Sequence, residues 1–308
     1  MSAIRIEGLT KTYGALRALD GLSLTVEPGT VFGFLGPNGA GKTTTMRILA
    51  GLAKPSGGQA WVAGEPAGPD GRARALVGYL PEEPHFYTWM RAEEFLASYV
   101  GGLFRLPRRE ARQRADELLS RVGLEDVGRR RIGGFSRGMR QRLGLAQALM
   151  NRPRVLLLDE PVSALDPGGR KEILELIGGL NDQAAVFMST HILADVDRIC
   201  DTIGVIDHGR LVALESRDAL LDRYAVPAIE VEFEAGAEAI AAWAEKVGGS
   251  GAAAGVEVEG RKVRIRLAGS EGAAGEVQRQ VLGSGLAVVE YRIARPSLED
   301  VFLRLVEN

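Results

Sequence analysis

The 308-residue chain has little of several residue types, and each shortage excludes a class of protein. Its one cysteine, Cys200, excludes an internal disulfide and a cysteine-cluster metal site. Aromatic residues make up 6% of the chain, and the net charge of −2 gives no electrostatic basis for binding nucleic acid. No apolar run approaches the roughly 18 residues that a membrane helix needs, and the first residues do not resemble a signal peptide. We therefore expect a cytoplasmic chain that needs a partner for any action at a membrane.

What is present is the composition of a globular protein, with 45% hydrophobic and 25% charged residues. A length of 308 residues favours two domains. The composition shifts after a helix predicted at residues 217–224, and Pro227 marks the boundary. We therefore predict one domain over residues 1–224 and a second over residues 228–308.

The clearest motif is a glycine-rich segment at residues 36–44, which reads Gly-Pro-Asn-Gly-Ala-Gly-Lys-Thr-Thr. It follows an apolar run that predicts a buried strand at residues 31–35, and it precedes a predicted helix. Glycines allow successive backbone N–H groups to turn inward, Lys42 can reach the β- and γ-phosphates, and Thr43 can hold Mg²⁺. The alternative is a simple glycine turn that caps a helix, but the strand and helix around the motif favour a nucleotide site. The residues predicted to form it are Gly36, Asn38, Gly39, Gly41, Lys42, Thr43 and Thr44.

Further candidates follow two apolar strands. Residues 155–158 have the uninterrupted apolar pattern of a strand in a parallel sheet. Asp159 and Glu160 follow at its carboxyl end, which is where ligands bind in open α/β sheets. Asp159 is placed to reach Mg²⁺, and Glu160 to polarise a water for attack on the γ-phosphate. His191 follows a strand predicted at residues 185–189 and could reach the γ-phosphate as well.

Other features each allow two interpretations. Tyr13, between strands predicted at residues 4–7 and 22–26, could stack on an adenine ring or pack at a strand end. Ser136 and Gly138 open a predicted helix, and they form either a second anion site or a simple N-cap. The aromatic segment from Phe86 to Met90 is either core or a surface on which a partner docks.

Together these motifs resemble the ATP-binding subunit of an ABC transporter over roughly residues 3–224, most of all the stand-alone subunits of drug, sodium and haem exporters. The phosphate loop, the Asp159-Glu160 pair, the turn at residues 163–166 and His191 have the order and spacing of that family. The resemblance implies an α/β fold, namely a P-loop ABC-type ATPase domain with a helical subdomain at about residues 85–152. It also implies ATP and Mg²⁺ as ligands.

The same resemblance implies partners. In the implied head-to-tail homodimer, each ATP lies between one phosphate loop and the other subunit's segment from Ser136 to Gly138. A separate membrane-spanning transporter subunit would dock near Phe86 to Met90. That subunit would hold the chain on the inner face of the cell membrane.

Two segments depart from the family pattern. The signature segment reads Phe-Ser-Arg-Gly-Met where the family has Leu-Ser-Gly-Gly-Gln, so Arg137 replaces a glycine. Glu82 stands where the family has a glutamine that binds the metal and links to the transporter. Because a carboxylate can also coordinate Mg²⁺, we group Glu82 with Thr43 and Asp159 as predicted metal ligands.

Beyond residue 228 the pattern predicts a small α+β domain. Strands at residues 229–233, 256–259, 262–267 and 287–293 alternate with helices at 237–247 and 275–282, and a last helix is predicted at 297–306. The order β-α-β-β-α-β is a ferredoxin-like plan, which RNA-binding domains share. The strand at residues 262–267 has no aromatic residue to stack on a base, which argues against RNA. The position of this domain at the end of the chain suggests a regulatory or dimer-supporting role.

We predict that the chain is an ATPase that powers a membrane exporter, with Glu160 and His191 in catalysis. An alternative is a soluble ABC-type ATPase that acts on ribosomes or in DNA repair. The single nucleotide motif, the lack of a long coiled-coil insertion and the lack of a basic surface argue against it. A nucleotide-binding regulator without turnover is disfavoured by Glu160 and His191.

Overall fold

The computed structural model describes residues 1–69, 71–224, 228–268 and 272–294, together with Leu298. Contacts between residues divide the chain into two compact units, Met1–Arg217 and Asp218–Asn308. Among the described residues, no helix is long and apolar enough to cross a membrane.

The strands of the first unit are β1 (Ile4–Tyr13), β2 (Leu16–Val26), β3 (Val31–Leu35), β4 (Gly57–Val62), β5 (Glu65–Pro66), β6 (Val77–Leu80), β7 (Val155–Asp159), β8 (Ala185–Thr190), β9 (Thr202–Asp207) and β10 (Arg210–Ser216). Its helices are α1 (Lys42–Leu49), α2 (Ala92–Glu94), α3 (Gly101–Leu103), α4 (Arg108–Arg121), α5 (Arg137–Leu149), α6 (Pro167–Gly178) and α7 (Leu193–Ile199). A π-helical stretch, Phe95–Val100, joins α2 to α3. Helix α8 (Arg217–Tyr224) begins where the first unit ends.

The larger sheet has the strand order β10-β9-β3-β8-β7-β6. Strands β6, β7, β8, β3 and β9 are parallel, and β10 pairs with β9 in the antiparallel sense. Every residue of β3, β7 and β8 is buried, which explains their uninterrupted apolar sequences. Because neighbouring parallel strands end at the same edge, the loop after β3 lies beside the ends of β7 and β8. This edge positions the candidate site.

The smaller sheet has the order β2-β1-β4-β5 and is antiparallel. The strands predicted at residues 4–7 and 22–26 were too short, because β1 and β2 continue toward each other until Tyr13 pairs with Leu16. Glycines with positive φ interrupt the alternation that the prediction used, with Gly8 of β1 at 57° and Gly21 of β2 at 74°. Tyr13 is therefore the last residue of a strand rather than part of a loop.

Helix α5 packs closely against the larger sheet. A Cβ atom on Gly78 of β6 would lie 2.1 Å from the carbonyl oxygen of Ala148, so the glycine permits the approach. A Cβ atom on Gly144 would lie 2.6 Å from Leu80. Helix α6 starts at Pro167, since proline is favoured in the first turn of a helix.

The second unit contains β11 (Ala228–Glu234), α9 (Ala237–Gly248), β12 (Ala253–Glu259), β13 (Lys262–Leu267), α10 (Ala273–Leu282) and β14 (Ala287–Ala294). The sheet order β12-β13-β11-β14, with antiparallel pairs throughout, confirms the ferredoxin-like plan. Apolar residues of β11 and β13 pack against both helices, and Phe233 meets Trp243 edge to face, with ring centroids 4.7 Å apart. The alternate residues of these strands are charged and form ion pairs such as Arg264–Glu230. The predicted helix at residues 297–306 lies outside the described residues, apart from Leu298.

Candidate functional site

The glycine-rich loop runs from the end of β3 to the start of α1. Gly39 and Gly41 have φ values of 85° and 111°, which favour glycine. A Cβ atom on Gly36 would lie 2.3 Å from the carbonyl oxygen of Ile206, so a larger residue cannot take this place without moving β9. The loop therefore adopts the compact turn that its sequence predicted.

Lys42 lies at the first position of α1 and is 7% exposed. Its Nζ donates to the carbonyl oxygens of Gly36, at 2.7 Å, and Pro37, at 3.1 Å. Burial lowers the pKa of Lys42, while the charges of Glu160 and Asp159 act in the opposite direction. The Lys42 ammonium group is thus held against the first residues of the loop in which a phosphate would bind.

Asp159 ends β7 and is 1% exposed. Its Oδ1 accepts a hydrogen bond of 2.6 Å from the Ser189 hydroxyl, but its buried Oδ2 has no hydrogen-bond partner among the described residues. A buried carboxylate oxygen without a donor is costly, and a cation would satisfy it. Asp159 therefore fits the predicted role of magnesium ligand.

The other ligands of such an ion would have to include groups besides His, Cys, Asp and Glu side chains. Within the described ranges, no group of three or more His, Cys, Asp or Glu side chains is arranged to hold a metal. Thr43 and Glu82 line the same cavity as Asp159. A hydroxyl, carboxylates and phosphate oxygens are the ligands that Mg²⁺ uses in nucleotide sites.

Glu160 follows Asp159 with a φ of 48°, a conformation that costs a non-glycine residue energy and is found at functional sites. Its backbone N–H donates to Ser189, to the carbonyl oxygen at 3.1 Å and the hydroxyl at 3.3 Å. Its Oε1 lies 2.8 Å from Nδ1 of His191. The two predicted catalytic residues are therefore in direct contact, with Glu160 7% exposed and His191 half exposed.

These residues surround a cavity of about 480 Å³. The predicted site residues that line it are Tyr13, Asn38, Gly39, Gly41, Lys42, Thr43, Thr44, Glu82, Asp159, Glu160 and His191. Tyr13 is 46% exposed at the cavity rim, so it is not a packing residue of the core. Gly36 does not line the cavity but contributes the carbonyl that binds Lys42.

Ser136 and Gly138 do not line this cavity. The Ser136 hydroxyl accepts a hydrogen bond of 3.2 Å from the Met139 N–H, which makes Ser136 the N-cap of α5. Arg137 is exposed and pairs with Glu83 at 3.7 Å, a contact that the sequence did not predict. Within one chain, the beginning of α5 is thus separate from the phosphate loop.

The aromatic segment contributes to both core and surface. Met90 is 6% exposed and belongs to the core, and Phe86 packs edge to face on Phe95. Tyr87 is in ring contact with both Trp89 and Tyr99, and the three residues are 45%, 66% and 38% exposed in chain order. We call these three residues the aromatic patch.

Two residues of the site were not predicted from the sequence. Ser189 follows four apolar residues in the buried strand β8, and Gln141 lies on the buried side of α5 at 2% exposure. A polar residue at a buried position signals a hydrogen bond, but the sequence does not say to which group. Ser189 supports Asp159 and Glu160 together, while Gln141 donates to the carbonyl oxygen of Glu160 at 3.4 Å.

A phosphate loop between strand β3 and helix α1, with two carboxylates at the end of the buried strand β7 of the same parallel sheet, defines a P-loop ATPase. The ABC transporter family model matches residues 19–163, and a C-terminal domain model described as ATP-binding protein DrrA1-3-like matches residues 216–306. An uncharacterized ABC transporter ATP-binding protein of Bacillus subtilis is 45% identical over 68% of this chain and 69% of its own. A daunorubicin resistance ATP-binding protein of Streptomyces coeruleorubidus is 40% identical over 98% of this chain and 94% of its own.

Among solved structures, a dimeric ATP-binding cassette in a post-hydrolysis state, bound to ADP and phosphate, superimposes with a TM-score of 0.64. It is 25% identical and covers 69% of this chain and 98% of its own. The chain belongs to the ABC transporter family, as an ATP-binding subunit that hydrolyses ATP. This membership confirms the predicted family, fold and enzyme class, and it favours transport over action on ribosomes or in DNA repair.

Proposed function

We propose that the chain is the ATPase of an exporter that moves a drug-like or antibiotic compound out of the cell through a separate membrane subunit. The observation that carries this proposal is similarity over nearly the whole chain, including the C-terminal domain, to a daunorubicin resistance ATP-binding protein. The chain would then lie on the inner face of the cell membrane, held there by its partner.

In this proposal the cavity residues divide the chemistry among them. The backbone N–H groups of the loop and Lys42 hold the phosphates of ATP, and Tyr13 stacks on the adenine ring. Thr43, Asp159 and Glu82 would hold Mg²⁺, which supplies charge neutralisation at the phosphates. Glu160 accepts a proton from the attacking water, and His191 orients Glu160 and contacts the γ-phosphate.

The proposed homodimer completes each site. The start of α5 is a capped helix N-terminus separate from the cavity of its own chain, and such a terminus favours an anion. In a head-to-tail dimer, Ser136 and Gly138 of one chain would contact the ATP bound to the phosphate loop of the other. The dimeric cassette to which the chain is similar supports this arrangement.

The aromatic patch is the proposed contact with the membrane subunit. Exposed, clustered aromatic rings are typical of interface centres, and Trp89 is the most exposed of the three. Replacing Trp89 by Ala should weaken co-purification with the membrane subunit and leave ATP binding unchanged. Trp61→Ala, a half-buried tryptophan outside the patch, is the matched control. Equal co-purification of wild type and Trp89→Ala would contradict the proposed docking surface.

The hydrolytic role is tested with Glu160→Gln. This variant should bind ATP and form a more persistent dimer, but its hydrolysis should fall by at least two orders of magnitude, because the amide cannot accept the proton. Glu83→Gln, an exposed carboxylate next to Glu82, is the control and should retain ATPase activity. Wild-type turnover in Glu160→Gln would remove this carboxylate from the reaction.

A further inference from the structure

The backbone of Glu160 is held by hydrogen bonds from different parts of the fold. On its amino side, the N–H donates to Ser189 of β8. On its carboxyl side, the carbonyl oxygen accepts from Ser163, through the N–H at 3.3 Å and the hydroxyl at 3.1 Å, and from Nε2 of Gln141 at 3.4 Å. Because φ of Glu160 is 48°, its conformation depends on these contacts more than a relaxed residue's would.

Gln141 connects Glu160 to a helix that begins at the candidate anion site. Its side chain is 2% exposed, so no water competes for its amide. Gln141 lies in the second turn of α5, about 6 Å along the axis from Arg137 at the helix start. A rigid helix moves as a unit, so a displacement at its N-terminus reaches Gln141 directly.

The length of the Gln141 hydrogen bond makes it sensitive to such a displacement. Its donor–acceptor distance of 3.4 Å is at the upper limit for a hydrogen bond, whereas an ordinary N–H···O bond measures about 2.9–3.0 Å. A small shift of α5 is therefore enough to strengthen or break it. The other bonds to Glu160 come from Ser189 of β8 and from Ser163 in the turn after β7, so Gln141 is the donor that α5 contributes.

We propose that Gln141 is a positioning residue that makes the orientation of Glu160 depend on the ligand at the N-terminus of α5. This inference rests on the proposed dimer, in which that ligand is the ATP of the partner subunit. ATP bound at one site then adjusts Glu160, through α5 and Gln141, at the other site. Hydrolysis at the two sites is therefore cooperative, and the cooperativity passes through this hydrogen bond.

The test uses the full-length chain with Gln141→Met, which retains an unbranched side chain but removes the donor. We expect kcat to fall by about tenfold to a hundredfold, the KM for ATP to stay within about twofold, and the Hill coefficient for ATP to drop toward 1. Gln147→Met, a half-buried glutamine on the same helix, should retain wild-type kinetics. In the Glu160→Gln background, Gln141→Met should leave ATP-dependent dimerisation unchanged, because the hydrogen bond acts on the hydrolytic step.

Unchanged kcat and Hill coefficient in Gln141→Met, or an equal loss of kcat in Gln147→Met, would overturn the inference. The proposed function would still stand in that case if the wild-type chain hydrolyses ATP. Absence of ATP hydrolysis in the wild type would overturn both. If Gln141→Met does not fold, Gln141→Leu replaces it, since it keeps a similar volume and lacks the donor. The same loss of kcat at constant KM is then expected, and wild-type kinetics would refute the role.

Discussion

Replacing Ser189 by Ala measures how much the hydrogen bond from Ser189 to the buried carboxylate of Asp159 contributes to stability. The Ser189 hydroxyl donates the 2.6 Å bond to Oδ1, and Oδ2 has no hydrogen-bond partner in the described part of the chain. The variant therefore removes the hydroxyl that donates to Oδ1 and leaves a carboxylate that is 1% exposed without that hydrogen bond. The Glu160 N–H keeps its bond to the carbonyl oxygen of residue 189, so the perturbation concentrates on Asp159.

The expected cost follows from the type of bond that is lost. A hydrogen bond to a charged group contributes about 1.5–3 kcal/mol, and a buried charge left without a partner costs at least that much. Alanine fills nearly the same space as serine, so no cavity adds to the cost. We expect Ser189→Ala to lower the free energy of unfolding of the first unit by about 2–3 kcal/mol in the absence of ligand.

Urea unfolding without nucleotide or metal, followed by circular dichroism, measures this difference. Ser120→Ala, an exposed serine on α4, is the control and should stay within about 0.5 kcal/mol of wild type. A loss below about 0.5 kcal/mol in Ser189→Ala would refute the reasoning, because it would mean that Asp159 gains little from its hydrogen bond.

Two further predictions concern glycine packing and the cysteine. Gly36→Ala should abolish binding of a fluorescent ATP analogue, because the alanine Cβ would lie 2.3 Å from the carbonyl oxygen of Ile206. An affinity within threefold of wild type would contradict this packing. Cys200 is 2% exposed and burial raises the pKa of its thiol, so the reactive thiolate is scarce in the folded chain. Maleimide should therefore label Cys200 only as urea unfolds the protein, and labelling in native buffer at the rate of a free thiol would show the site to be open.

Much of the fold was predictable because its signals are local. Uninterrupted apolar runs gave β3, β7 and β8, and the glycine motif between β3 and α1 gave the loop that holds Lys42. Where a signal was not local, the prediction was incomplete. Gly8 and Gly21 break the alternation of β1 and β2, so the predicted strands were too short.

The candidate site divides in the same way. Asp159, Glu160 and His191 could be selected individually from the strand ends that they follow. Their partners could not, because the hydrogen bonds from Ser189 and Gln141 join residues 30 and 19 positions apart. Met90 was grouped with the surface aromatics, yet it packs in the core, since sequence shows which residues are apolar and not which of them remain exposed.

The sequence by itself therefore determined the chemistry of this protein: a glycine loop that cradles phosphate and carboxylates that follow buried strands. Only the tertiary structure decided which groups meet, namely Glu160 with His191, Ser189 with Asp159 and Gln141 with the backbone of Glu160. The reason is that backbone conformation follows from neighbouring residues along the chain. Contact between side chains on different strands and helices depends on how the parallel strands align and how α5 packs on them.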